Sequence, residues 1–90
     1  MKTIKELKEY LIKTFPNENI YLFGSRARGD NSAFSDIDIA IESKDSISEK
    51  LAKVRFEIEE SLIPYKVDIV DLSKAEYLKS IIYTEGIKWH

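Results

Sequence analysis

From residue 36 to residue 41 the chain alternates strictly, Asp36-Ile37-Asp38-Ile39-Ala40-Ile41. A period of two is the repeat of a β-strand, whose successive side chains point to opposite faces. Ile37, Ile39 and Ile41 therefore share one face that must be buried, and Asp36 and Asp38 share the other. The run commits the chain to a sheet, and a sheet needs further strands. Ile20-Tyr21-Leu22-Phe23 is a short apolar run rich in β-formers, and Val67 to Leu72 is a third strand. Helical stripes are interleaved with them. Residues 3–15 repeat Ile4, Leu7, Leu11 and Phe15 at helical intervals, and residues 46–62 carry Ile47, Leu51, Val54 and Ile58. A last helix bears Tyr77, Leu78, Ile81 and Ile82 and is expected to stop near Gly86. Thr3 with Glu6, Ser46 with Glu49 and Ser73 with Glu76 have capping-box spacing, so each is read as a helix start. Pro16 and Pro64 mark breaks. The order α, β, β, α, β, α predicts the α/β or α+β class, a small sheet covered by helices.

Ninety residues are expected to form one domain, 1–90. Such a chain buries only about 60% of its unfolded surface, so its core is modest. It has no cysteine, which excludes disulfides and thiolate metal sites. Its one histidine, His90, is the last residue, poorly placed for an imidazole zinc site or a Ser-His-Asp triad. The net charge of −2 gives no general attraction to nucleic acid or an anionic membrane, and there is no basic stripe. No long apolar run opens the chain, so a cytoplasmic protein is expected.

Three features carry chemistry. A strand ending in Gly24-Ser25 and running into a helix start points backbone N–H groups outward, where they suit a phosphate. Gly24 has no side chain to block the approach. Arg28 can reach the same anion with its planar fork of donors. Next, Asp36 and Asp38 lie roughly 6.6 Å apart along one face of their strand. Oxygen ligands of this kind select hard cations such as Mg²⁺. Third, Asp68 points away from Val67 and Ile69. If its strand pairs beside the second, three carboxylates meet on one surface, enough for two metal ions and in-line displacement at phosphorus, with Asp68 helping to take the proton of an attacking hydroxyl. Asp71, at the strand end, is a rival for that place.

The run from Gly24 to Asp38 resembles the signature of the DNA polymerase β-like nucleotidyltransferase superfamily: Gly-Ser, about ten residues, then Asp-x-Asp. The finer pattern, Gly24-Ser25-Arg26-Ala27-Arg28-Gly29 and later Ser35-Asp36-Ile37-Asp38, is similar to its minimal nucleotidyltransferase branch. The likeness is close over residues 20–41, and Asp68 matches the third carboxylate. It implies a small mixed sheet flanked by helices. It implies that Gly24 and Ser25 bind the triphosphate and that Asp36, Asp38 and Asp68 are the catalytic, metal-binding triad; Arg28 and Ser35 are the further candidate nucleotide contacts. It also implies ATP as substrate, Mg²⁺ as two ions, and a small helical HEPN toxin as partner, silenced by AMP transfer to a tyrosine, by binding, or by both.

Each feature also has a plainer reading. Gly24-Ser25 alone is an ordinary turn, and Asp36-x-Asp38 alone is a solvated strand face. Their spacing, joined with Asp68, favours the functional reading. Arg26 sits at the variable position of the pattern and reads as surface, and Ser35 also shapes a turn. Residues 77–89 hold Tyr77, Ile81, Ile82, Tyr83 and Trp89, read as core, with Tyr83 to Trp89 a candidate partner surface. The expected function is Mg²⁺-dependent transfer of AMP from ATP to an acceptor hydroxyl. The alternative is a non-catalytic antitoxin that caps its partner. Homo-oligomerisation is left open.

Overall fold

The computed structural model describes residues 1–29 and 35–90. Helix α1 (Ile4–Thr14) begins as its sequence dictates: the Thr3 hydroxyl accepts from the Glu6 N–H at 3.1 Å, and the Glu6 carboxylate turns back to the Lys2 N–H. Leu7, Leu11 and Phe15 are wholly buried, as their spacing requires. Strand β1 (Asn19–Phe23) follows, then α2 (Ser25–Arg28), a single turn. Strand β2 (Ile37–Glu42) is the alternating run, with Ile37, Ile39 and Ile41 fully buried. Helix α3 (Ser48–Glu59) crosses over to β3 (Val67–Asp71). Two 3₁₀ turns (Leu72–Lys74 and Glu76–Leu78) lead into α4 (Lys79–Glu85), and β4 (Ile87–Lys88) ends the order. Among the described residues no helix is long and apolar enough to cross a membrane.

The sheet runs β3-β2-β1-β4 and is mixed. β1 is antiparallel to β2 and β4, and β2 is parallel to β3. One face packs on α1 and α3, where Leu7, Leu11 and Phe15 meet Ile20, Ile39, Ile41, Leu51 and Val54. Among the described residues, the other face is covered at one end only. There Ala40, Leu72 and Ile82 form a second buried cluster with Tyr21, Phe23 and Leu78. Asp38 shares this face with Ala40 but lies two residues toward the β1–α2 turn, past the cover that α4 supplies. The carboxylates stand there half-exposed because the second core stops short of them.

Three readings need correction. Ser46 does not cap α3: Ile47 takes the cap position with no side-chain bond, because its side chain is drawn into the core and the helix starts after it. Ser73 does not open a helix: the Asp71 carboxylate accepts from the Ser73 N–H at 3.0 Å and the Ser73 hydroxyl at 2.7 Å, which winds a 3₁₀ turn and delays α4 to Lys79. The element order also gains the one-turn α2 and the two-residue β4. β4 is clasped by bonds between the backbones of Ile20 and His90 and from the Trp89 N–H to the Ile20 carbonyl.

Candidate active site

Gly24 fixes the geometry. Its φ of 77° lies in the region that favours glycine, and it turns β1 directly into α2. The first helical bonds come from the Ala27 and Arg28 N–H groups to the Gly24 carbonyl, so the N–H groups of Ser25 and Arg26 precede the ladder. Gly29, at φ 83°, ends the turn. A Cβ on Gly24 would lie 2.4 Å from the Asp38 Oδ2. Backbone and carboxylate are in contact, and the contact exists only because residue 24 has no side chain.

The parallel register sets Asp38 opposite Asp68. Both residues therefore point to the same face, the one Ile37 and Ile39 leave free. Asp36 immediately precedes β2 and is exposed. Burial, then the Asp68 and Asp36 carboxylates, push the Asp38 carboxyl above its ordinary range, while Arg28 and Lys66 pull it down. Asp38 is thus the focus of the charge cluster, with two other carboxylates and two cations acting on it. An all-oxygen donor set whose members repel one another fits a hard divalent cation, which would relieve that repulsion. Among the described residues no three such side chains are already drawn into one ligand set. Asp71, the rival for the third place, is buried and committed to the Ser73 turn. Ser35 and Arg28 flank the cluster, Ser35 one residue before Asp36 and Arg28 at the end of α2.

Arg26, read as surface, does more than its position in the pattern suggests. Its Nε and Nη2 both donate to the Ser35 carbonyl, at 3.1 and 3.0 Å, and its guanidinium lies 4.7 Å from the centre of the Tyr65 ring. One side chain thereby ties together the Gly24-Ser25 turn, the entry to Asp36 and Asp38, and the approach to Asp68. Nothing in the sequence marks Tyr65 as its stacking partner.

The sequence pattern of the family described as polymerase beta, nucleotidyltransferase, matches residues 5–88. A Methanocaldococcus jannaschii protein named as a protein adenylyltransferase is 38% identical over 81 residues, covering 78% of this chain and 79% of that protein. A Haemophilus influenzae protein named as the protein adenylyltransferase MntA is 34% identical over 67 residues, covering 72% of this chain but only 58% of its own length. Among solved structures, a toxin–antitoxin crystallised with AMP-PNP contains a chain that aligns with a TM-score of 0.72 at 29% identity, over 92% of this chain and 72% of that one.

Proposed function

The chain belongs to the polymerase beta nucleotidyltransferase family, and from that premise we propose that it transfers AMP from ATP to an acceptor hydroxyl, a tyrosine of a small helical HEPN toxin being the acceptor. The single observation that carries the reading is the contact between Gly24 and the Asp38 carboxylate, with Asp68 in register beside it. A phosphate-suited turn then abuts a carboxylate cluster, and a triphosphate held by one lies against the other. Names of relatives support the AMP and toxin parts of the proposal: two are named as protein adenylyltransferases, and one related structure is a toxin–antitoxin.

In this reading residues 1–90 act as one domain in the cytoplasm. The first-turn N–H groups and the Ser25 hydroxyl hold the phosphates, with Arg28 and Ser35 at the same anion. Asp36, Asp38 and Asp68 hold Mg²⁺, as two ions. When bound, the metal neutralises the triphosphate and activates the attacking hydroxyl. The acceptor oxygen attacks the α-phosphorus, the bond from that phosphorus to the bridging oxygen of the β-phosphate breaks, pyrophosphate leaves, and Asp68 takes the hydroxyl proton.

The test uses ATP labelled on the α-phosphate. It is added with Mg²⁺ and the chain to lysate of the host, beside an Asp36→Asn, Asp38→Asn double variant. A labelled band made only by the intact chain is expected, and mass spectrometry of that band names the acceptor. Equal lanes would sink the transfer to a protein acceptor proposed here. Toxin protection that survives in the double variant would instead favour a capping module. Tyr77, Ile81, Tyr83 and Ile87 leave apolar surface exposed in the C-terminal third, as such a module needs.

A further inference from the structure

β3 is an edge of the sheet, and a groove of about 720 Å³ runs along it. Arg55, Ile58 and Glu59 of α3 form one wall, and Asp68 is part of the lining. The groove therefore runs beside the strand that carries Asp68, whose side chain projects on the face of the sheet away from α3. Register decides which backbone groups it presents. The Ile37 N–H donates to the Lys66 carbonyl at 2.9 Å, and β2 and β3 are parallel. In a parallel ladder alternate residues turn their N–H and C=O toward a given neighbour. Lys66, Asp68 and Val70 thus bond toward β2, and Val67 and Ile69 present theirs to the groove. Arg55 fits this pattern. Its Nη2 donates to the Ile69 carbonyl at 2.6 Å, standing where the N–H of an added strand would stand.

We propose that this groove is the acceptor subsite, and that it takes an extended peptide segment of a protein acceptor, which pairs with Val67 and Ile69 as a further strand and lays a tyrosine across β3 toward Asp68 and Asp38. The proposal rests on Asp68 being the acceptor-side carboxylate. An outward row of backbone donors and acceptors serves an extended chain and little else. A residue of the added strand opposite Asp68 projects on the face that Asp68 uses. Strands are spaced by about 4.8 Å, a gap that a tyrosine ring crosses and a serine or threonine hydroxyl does not. Arg55 and Lys66 on the groove lining are matched by Glu59 and Asp68, so the preference for charge comes from Arg55 alone. The incoming N–H releases Arg55 from the Ile69 carbonyl, so the fitting segment carries an acidic residue beside its tyrosine.

The experiment uses a degenerate peptide library fixed only at a central tyrosine, with α-labelled ATP and Mg²⁺, and the same library N-methylated at alternate backbone positions. The wild-type chain is expected to label the first and to label the second at least about tenfold less, the loss of one or two good hydrogen bonds. Val67→Pro removes one outward N–H at the first residue of an edge strand, a position that tolerates proline. It is expected to lose peptide labelling to the same degree while ATP affinity, read by titration, is unchanged. Equal labelling of both libraries overturns the proposal, as does a folded Val67→Pro chain that labels peptide like wild type or binds ATP more weakly. If Val67→Pro does not fold, the two libraries on the wild-type chain decide alone. A chain that labels a lysate acceptor but no peptide refutes the docking mode and leaves transfer standing. One that labels neither refutes both.

Discussion

Gly24 sets how close Asp38 can come to the backbone that would hold a phosphate. An alanine there meets two obstacles at once, a φ of 77° and a carboxylate oxygen 2.4 Å from its Cβ. The backbone strain alone is worth about 1–3 kcal/mol, and Asp38 must also move. Gly24→Ala is therefore expected to lower stability by that amount and to weaken Mg²⁺-dependent ATP binding about tenfold or more. Denaturant melts and nucleotide titrations read the two effects separately, and unchanged affinity would remove Asp38 from the site. Arg26 acts differently, since its two bonds to the Ser35 carbonyl and its stack on Tyr65 depend on the shape of the guanidinium. Arg26→Lys keeps the charge and loses the fork. It is expected to slow transfer at saturating ATP as much as Arg26→Gln does, and full rescue by lysine would show that charge alone matters. That Asp38 and Asp68 share one face was legible in the sequence because strand alternation fixes which way a carboxylate points. Arg26 was not, because its partners are a backbone carbonyl nine residues away and a ring on a different strand approach.

Three sequence signals of one kind, a hydroxyl residue followed three positions later by Glu, met three fates. Thr3 works because the chain enters α1 from solvent, with nothing else competing for the first N–H groups. Ser46 fails because Ile47 is pulled into the core, and Ser73 fails because a carboxylate two residues earlier reaches its N–H first. Local spacing proposes a cap, and tertiary burial decides it. Asp71→Ala is accordingly expected to cost about 1–2 kcal/mol, the usual loss of a cap, and to leave ATP affinity intact. Ser46→Ala should stay within about 0.5 kcal/mol of wild type. A drop in nucleotide affinity for Asp71→Ala would return that residue to the carboxylate cluster. The pairing of α1 with α3 has its own pH signature. The Tyr10 hydroxyl donates to the Glu57 carboxylate, and burial first, then that bond, push its pKa from 10.0 to about 12. The unfolded phenol ionises first, so the contribution is intact below pH 10.0 and is lost as the pH rises through about 12. Thermal melts of wild type and Tyr10→Phe should converge across that window, and a constant gap would mean the tie contributes nothing.

At the scale of the whole molecule, the interleaved order of helices and strands was readable because three apolar runs of period two or near it lay between three helical stripes. β4 was not, since two residues carry no period, and the bonds that make it a strand come from β1. Trp89 shows the consequence. Read as core and offered also as part of a partner surface, it packs against the main core, with its backbone bonded to Ile20, whereas Tyr77, Ile81 and Tyr83, read as core too, stand exposed. The Cα radius of gyration, 12.4 Å, is that of a fully compact chain of this length, about 12 Å. A chain this small still has little stability to spare, so ligand binding should register strongly in its melting temperature. A ligand at a hundred times its dissociation constant adds about 2.7 kcal/mol, and in a domain of this size each kcal/mol moves Tm by about 4–8 °C. ATP with Mg²⁺ is therefore expected to raise Tm by roughly 10–20 °C, and EDTA should abolish the rise. ATP without a divalent cation should do little, because the half-buried carboxylates then repel the triphosphate. Asp38→Asn should melt at or above wild type when free, as it loses a carboxyl that burial and two like charges already disfavour. The same variant should gain no Tm from ATP with Mg²⁺, and a full gain would show that the nucleotide binds elsewhere on the chain.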